Sequence, residues 1–285
     1  MTTPRRILLA TDLSCRSDRA LDRTVALARE WKARLIIIHV LEAAGLVSHA
    51  PSWRRPLDPR RAAEQRVRAD VGDASAVDLD LDVIVERGEV ATVVLDAAES
   101  QDCELIVTGV ARDETLGRML LGRTVETVVR RSKVPVLVVK SRPRGPYRRV
   151  MVASDFSESS RTALTTALTM FPDANVSLFH SYDVPYESFF PDKMVAREAL
   201  EESARVEAEA FLASMPITSQ KDIPIVCEYG SPVALLRDHF QDLSVDLVVA
   251  GTSGRGRVAE LFLGSVAQSL LGSVPGDIMI VPRAQ

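Results

Sequence analysis

The chain has 285 residues, of which 46% are hydrophobic, 26% charged and 5% aromatic. That composition excludes a disordered chain, and the length fits two domains of about 150 residues, their cores filled by Val, Leu, Ile and Ala. A net charge of −4 from 35 Lys+Arg against 39 Asp+Glu leaves no basic surplus for a nucleic-acid backbone or an anionic membrane.

The elements in chain order occur twice. Short, non-alternating, β-branched runs predict strands buried on both faces of a parallel sheet. In the first copy these are residues 7–10, 35–40, 81–85, 105–107 and 136–139. The second has 150–153, 176–179, 225–227, 247–250 and 278–281. Helical spacing separates the strands, as in 20–30 with Leu21, Val25 and Ala28, and again at Leu164, Leu168 and Phe171. Ser231-Pro232 is a helix start with an N-cap and a Pro at the first position. In the Arg-rich run from Arg54 to Arg68, Asp58 and Glu64 are interleaved, which predicts a solvated helix face.

The repeat is explicit in the residues. Arg6-Ile7-Leu8-Leu9-Ala10-Thr11-Asp12-Leu13-Ser14 returns 143 residues later as Arg149-Val150-Met151-Val152-Ala153-Ser154-Asp155-Phe156-Ser157. His39 returns as His180, Gly88 as Gly230, Gly109 as Gly251, and Leu121-Gly122 as Leu263-Gly264. Two copies of one domain follow, residues 1–140 and 147–285, with 141–146 (Ser-Arg-Pro-Arg-Gly-Pro) as the linker. Alternating strand and helix makes each copy a doubly wound α/β domain of five strands, whose ligands bind at the carboxyl ends of the strands.

After the fourth strand of copy two runs Gly251-Thr252-Ser253-Gly254-Arg255-Gly256-Arg257-Val258-Ala259-Glu260-Leu261-Phe262-Leu263-Gly264-Ser265-Val266. Gly251 and Gly254 allow close backbone approach to a ribose and phosphate. Gly264-Ser265 precede the helical stretch 266–271, whose free N–H groups and dipole suit an anion. No Gly-Lys pair exists, so the P-loop signature is absent. Gly254-x-Gly256-x-x-Ala259 mimics a dinucleotide fingerprint but follows the wrong strand.

Gly251-x2-Gly254-x9-Gly264-Ser265, with Ala153-Ser154-Asp155 ending the first strand and His180 the second, resembles the ATP-binding motif of the universal stress protein family. The resemblance spans both copies. It implies a Rossmann-like sheet of strand order 3-2-1-4-5 in each and their packing as an internal pseudo-dimer. It further implies ATP with Mg²⁺: Ala153, Ser154 and Asp155 against the adenine with the Ser181 backbone on its edge, Gly251 and Gly254 flanking the ribose and α-phosphate, and Gly264, Ser265 and Val266 holding the β- and γ-phosphates. Copy one departs from the motif, with Arg112 in place of the second Gly and Arg123 in place of Ser, although Asp12, Gly109 and Gly122 are kept. A degenerate partner domain is the expectation there, with Arg123 filling the phosphate space or placing a charge in it.

His39 and His180 lack further metal ligands nearby in sequence and read as structural histidines; His49 and His239 have no ligand spacing either. Asp155 has a structural reading as an N-cap-like residue. Cys15, Cys103 and Cys227 form neither a disulfide framework nor a zinc site, which fits a reducing cytoplasm. The N-terminus carries no secretory pattern and no apolar run reaches 18 residues, so no membrane association is expected. Tyr182, Tyr186, Phe189 and Phe190 either cover the pocket mouth or pack between copies. The reading is a non-catalytic, ATP-dependent regulator of stress physiology acting through protein partners. A slow ATPase and a nucleotide-independent scaffold are the alternatives, and a homodimer of tandem chains stays open.

Overall fold

The computed structural model describes residues 3–14, 17–41, 58–72, 79–110, 122–183, 193–216, 222–242, 244–252 and 263–283. Its contacts divide the chain into two compact units, Thr3–Pro146 and Tyr147–Gln285.

In the first unit the elements are β1 (Arg6–Thr11), α1 (Asp18–Trp31), β2 (Arg34–Leu41), α2 (Pro59–Val71), β3 (Leu81–Arg87), α3 (Val90–Ser100), β4 (Leu105–Gly109), α4 (Arg123–Arg131) and β5 (Val136–Val139). β1 pairs in parallel with β2 and β4, β2 with β3, and β4 with β5, giving the order β3-β2-β1-β4-β5. The reversal between β1 and β4 makes a crevice at the strand ends, where neighbouring crossovers leave in opposite directions. Ile7, Leu8, Leu9, Leu35, Ile36, Ile37, Leu105, Ile106 and Val107 are fully buried, as a continuous apolar run in a two-sided sheet requires.

The second unit contains β6 (Arg149–Ala153), α5 (Glu158–Met170), β7 (Asn175–Tyr182), α6 (Lys193–Ala213), β8 (Ile225–Tyr229), α7 (Pro232–Gln241), β9 (Leu247–Gly251), α8 (Ser265–Ser273) and β10 (Asp277–Val281). Its parallel order is β8-β7-β6-β9-β10, the same winding. All ten expected strands are present, most of them longer than their apolar runs because the ladders continue into polar residues such as Thr11 and Tyr182. The Arg-rich run past Asp58 is α2, with Asp58 accepting from the Arg60 and Arg61 N–H groups and an Arg68–Glu64 pair at 3.1 Å on an exposed face.

The recurring Gly88 and Gly230 follow β3 and β8 with φ of +153° and +129°, a conformation that side chains rarely adopt. Each sets the chain into the next helix, α3 capped by the Glu89 carboxylate and α7 begun by Ser231-Pro232. The expected linker is tied to the first unit, since the buried Arg23 guanidinium donates to the Gly145 carbonyl at 2.6 Å.

Candidate functional site

The site in the second unit begins where β6 stops. Ser154 N–H donates to the Phe179 carbonyl at 2.8 Å, the last rung before the chain turns. Phe156 then takes a left-handed φ of +61°, held by its N–H donating to Ser154 Oγ at 3.0 Å. Asp155 Oδ1 accepts from Ser157 N–H at 3.2 Å and from the Ser160 hydroxyl at 2.7 Å, while the Asp155 N–H donates to Ser160 Oγ. The N-cap of α5 is Ser157, not Asp155. Asp155 instead locks the turn leading into the helix, an arrangement in which a carboxylate substitutes for a backbone acceptor.

The first unit builds the same turn from the same pattern. Leu13 has φ +57° and donates to Thr11 Oγ1, and Asp12 Oδ1 accepts from Ser14 N–H, the Ser14 hydroxyl and the Ser17 hydroxyl at 2.9, 2.7 and 3.0 Å. Burial works against the Asp12 carboxylate, but these hydrogen bonds outweigh it and hold its pKa below the ordinary value.

Each second strand ends in a histidine fixed onto that turn. His180 Nδ1 lies 2.8 Å from the Ser154 carbonyl oxygen and His39 Nδ1 lies 3.0 Å from that of Thr11. The Phe156 ring stacks on His180 with centroids 4.3 Å apart. Both histidines are therefore satisfied structural groups, and no group of three or more His, Cys, Asp or Glu that could hold a metal occurs among the described residues.

Beyond this turn lies a cavity of about 470 Å³ at the carboxyl ends of β6, β7 and β9. Ala153, Ser154, Asp155, Ser181, Gly251, Gly264, Ser265 and Val266 all line it; Gly254 lies outside the described residues. Ser160, Phe179, His180, Thr252 and Ala267 complete much of the wall. Ser160 was legible in principle, because Ser17 precedes it by the repeat offset of 143.

Two details differ from the expected cradle. A Cβ on Gly251 would overlap Ser159 Oγ and come within 2.9 Å of the Ser159 backbone, so this glycine is required by the close approach of α5 to β9. The Gly264 N–H is not free, since it donates to the Thr252 carbonyl at 2.7 Å. The open amides are one residue further on. Gly264 is the N-cap of α8 with no side chain to cap the helix, and the first intrahelical bond runs from Gln268 N–H to the Gly264 carbonyl. Ser265, Val266 and Ala267 thus begin the helix at the cavity wall, where unsatisfied N–H groups and the helix dipole provide a positive end.

In the first unit the equivalent space is a cavity of about 500 Å³, lined by Asp12, His39, Gly109 and Gly122 among others. Arg123 is exposed and is not part of the wall, so it does not fill the space expected for a phosphate; Arg112 lies outside the described residues. Of the aromatic cluster, Tyr182 reaches Glu201 at 3.3 Å and lies 6.0 Å from the Tyr229 ring, while Tyr186, Phe189 and Phe190 lie outside the described residues. Burial, reinforced by Glu201, raises the Tyr182 pKa. Cys103 and Cys227 are free thiols, and burial pushes Cys103 up to about 11. No helix among the described residues is long and apolar enough to cross a membrane.

The universal stress protein family model matches this chain twice, over residues 3–140 and 146–282. The chain belongs to the universal stress protein family. It is a tandem member, both matches falling on domains of the same winding. Universal stress protein Sll1388 of Synechocystis is 30% identical over 152 residues, a match covering 47% of this chain and 97% of that relative. Among solved structures, PA1789 of Pseudomonas aeruginosa, described as functionally unknown, is similar with a TM-score of 0.73 at 16% identity, covering 98% of this chain and 93% of its own. A universal stress protein of Archaeoglobus fulgidus has a TM-score of 0.64 at 21% identity, covering 98% and 99%. These two similarities concern the fold.

Proposed function

We propose that the second unit binds ATP and that occupancy of this site regulates interactions with partner proteins during stress, in the cytoplasm. The observation that carries the reading is the uncapped N-terminus of α8 opening on a cavity of about 470 Å³ at the sheet's switch point. That volume lies in the range of small-molecule sites, about 300–1,000 Å³. Helix amides with no capping side chain suit a phosphate chain, and the Ser265 hydroxyl adds a donor beside them. The base lies against Ala153, Ser154 and Asp155 with its edge on the Ser181 backbone, and Gly251 and Gly254 flank the ribose and α-phosphate. The terminal phosphates lie at Gly264, Ser265 and Val266, with Ser265–Ala267 supplying the amides because Gly264 N–H is already engaged.

Mg²⁺ accompanies the nucleotide, held by phosphate oxygens and water, a role that requires no cluster of protein carboxylates. The first unit, where Arg112 stands in place of the motif's second Gly, does not take a triphosphate. Extraction of nucleotide from the purified chain, followed by chromatography, tests the reading: ATP at one equivalent supports it, and nucleotide-free protein that also fails to bind added Mg-ATP overturns it.

A further inference from the structure

Ser160 lies in the first turn of α5, is 4% exposed and lines the second unit's cavity. Its hydroxyl donates to Asp155 Oδ1 at 2.7 Å and accepts from the Asp155 N–H at 3.1 Å, so one side chain grips that residue at both its carboxylate and its main chain. The 2.7 Å contact has the length of a charge-assisted bond and is shorter than the 3.2 Å contact from the Ser157 N–H to the same oxygen. The remaining neighbour of the hydroxyl, Ser157 Oγ, is further off at 3.4 Å. A side chain on a helix has few rotamers open to it, which makes this a rigid support.

The first unit does not hold Asp12 in the same way. Ser17, the counterpart of Ser160, precedes α1 instead of lying within it. Its single hydroxyl proton has two acceptors, Asp12 Oδ1 at 3.0 Å and the Ser14 carbonyl at 2.8 Å. Asp12 is exposed, whereas Asp155 is half-buried. A fixed, half-buried carboxylate at the cavity wall separates bases by their edge chemistry. The exocyclic amine of adenine donates, and the carbonyl oxygen that replaces it in hypoxanthine only accepts. A site built to accept a hydrogen bond rejects the analogue that cannot give one, provided that its acceptor is held in place.

We propose that Ser160 is a positioning residue of the second unit's nucleotide site, holding the Asp155 carboxylate in the orientation that selects adenine over hypoxanthine. The inference rests on the reading of this cavity as an ATP site.

ATP and ITP share ribose and triphosphate and differ at that one group of the base, so the ratio of their affinities for the full chain, measured by calorimetry, isolates the effect. The parent is expected to favour ATP about tenfold or more, and Ser160→Ala to lower that ratio about three- to tenfold. Ser160→Thr keeps the hydroxyl and retains most of the preference. Asp155→Ala also lowers the ratio, and Ser160→Ala added to it lowers it no further, as expected of a residue that acts through Asp155. Ser17→Ala leaves the ratio unchanged. A general loss of stability weakens both nucleotides alike and does not move the ratio, and thermal melting confirms that each variant is folded. A parent ratio near one, a ratio unchanged in Ser160→Ala, a ratio lowered equally by Ser17→Ala, or a further fall when Ser160→Ala is added to Asp155→Ala each overturns the role of Ser160 while leaving the ATP site standing. A parent that binds neither nucleotide overturns the ATP reading itself and this inference with it. If Ser160→Thr does not fold, the double variant decides.

Discussion

The imidazole Nδ1 of His180 lies 2.8 Å from the main-chain carbonyl oxygen of Ser154, and His39 stands in the same relation to Thr11 at 3.0 Å. A carbonyl oxygen only accepts, so the Nδ1 nitrogen carries the proton and each ring is held in one tautomer. In the second unit the ring also stacks against Phe156, the residue in the left-handed conformation, so one side chain fixes both the turn and the edge of the cavity.

Replacing His180 by Ala removes that hydrogen bond and the ring contact. The expected loss is about 1–3 kcal/mol from the second unit's stability, the sum of a hydrogen bond and an aromatic contact. Urea denaturation followed by domain-resolved hydrogen exchange checks it, and exchange in β6 and β7 should rise while that in β1 and β2 stays unchanged.

Gly251→Ala is expected to destabilise the second unit by about 1–3 kcal/mol, because its Cβ would meet Ser159 on a helix packed tightly against β9. The loss should appear in thermal melting without any ligand present. Ser159→Gly alongside it removes the hydroxyl clash but not the approach to the Ser159 backbone, so recovery should be partial.

Much of this was legible in the residues, and the reasons are specific. Runs such as Leu35–Val40 and Leu247–Ala250 announced strands because a sheet covered on both faces needs no alternation. The recurrence of Asp12 as Asp155 pointed to the strand-one turn, yet only the structure distinguishes an N-cap from a carboxylate bracing the turn before Ser157. Gly251 lines the cavity as its place after β9 suggests, and the structure adds that a Cβ there would meet Ser159; a sequence does not tell which protein neighbour a glycine faces. The bond from the Gly264 N–H to the Thr252 carbonyl depends on a return of the chain that spacing does not encode. The sequence does not delimit α6 (Lys193–Ala213), since its acidic residues and scattered exposed apolar ones, Met194, Val195 and Val206, blur the helical stripe.

Asp246 supplies a pH test of the second unit. Its Oδ1 lies 2.7 Å from the Arg149 guanidinium, and Oδ2 accepts from the Arg148 and Arg149 N–H groups at 3.1 and 2.9 Å. Burial acts to raise its pKa, but the Arg149 side chain and the two backbone donors outweigh this and depress it. A depressed folded-state pKa contributes stability above the unfolded value of about 3.9, and that stability is lost as pH falls through the folded value. Asp246→Asn should therefore cost on the order of 1 kcal/mol at neutral pH, a modest figure because Arg149 is half exposed. The gap between parent and variant in urea denaturation should close as the pH is lowered below about 4.

Ser265→Ala is expected to weaken ATP binding by about 1–3 kcal/mol, the range for a hydrogen bond to a charged acceptor, without changing the melting temperature of the free protein. Calorimetry on the variant and parent gives the affinity, and melting without nucleotide gives the control.

Calorimetric titration of Mg-ATP into the parent chain and into a Gly254→Val, Gly264→Val double variant tests the assignment of the nucleotide site most directly. Branched side chains at both positions would stand in the path of the phosphates beside the α8 N-terminus. The parent should saturate at one equivalent per chain, and the double variant, shown to be folded by its melting curve, should lose measurable binding. Undiminished affinity in the double variant, or saturation of the parent at two equivalents, would contradict it.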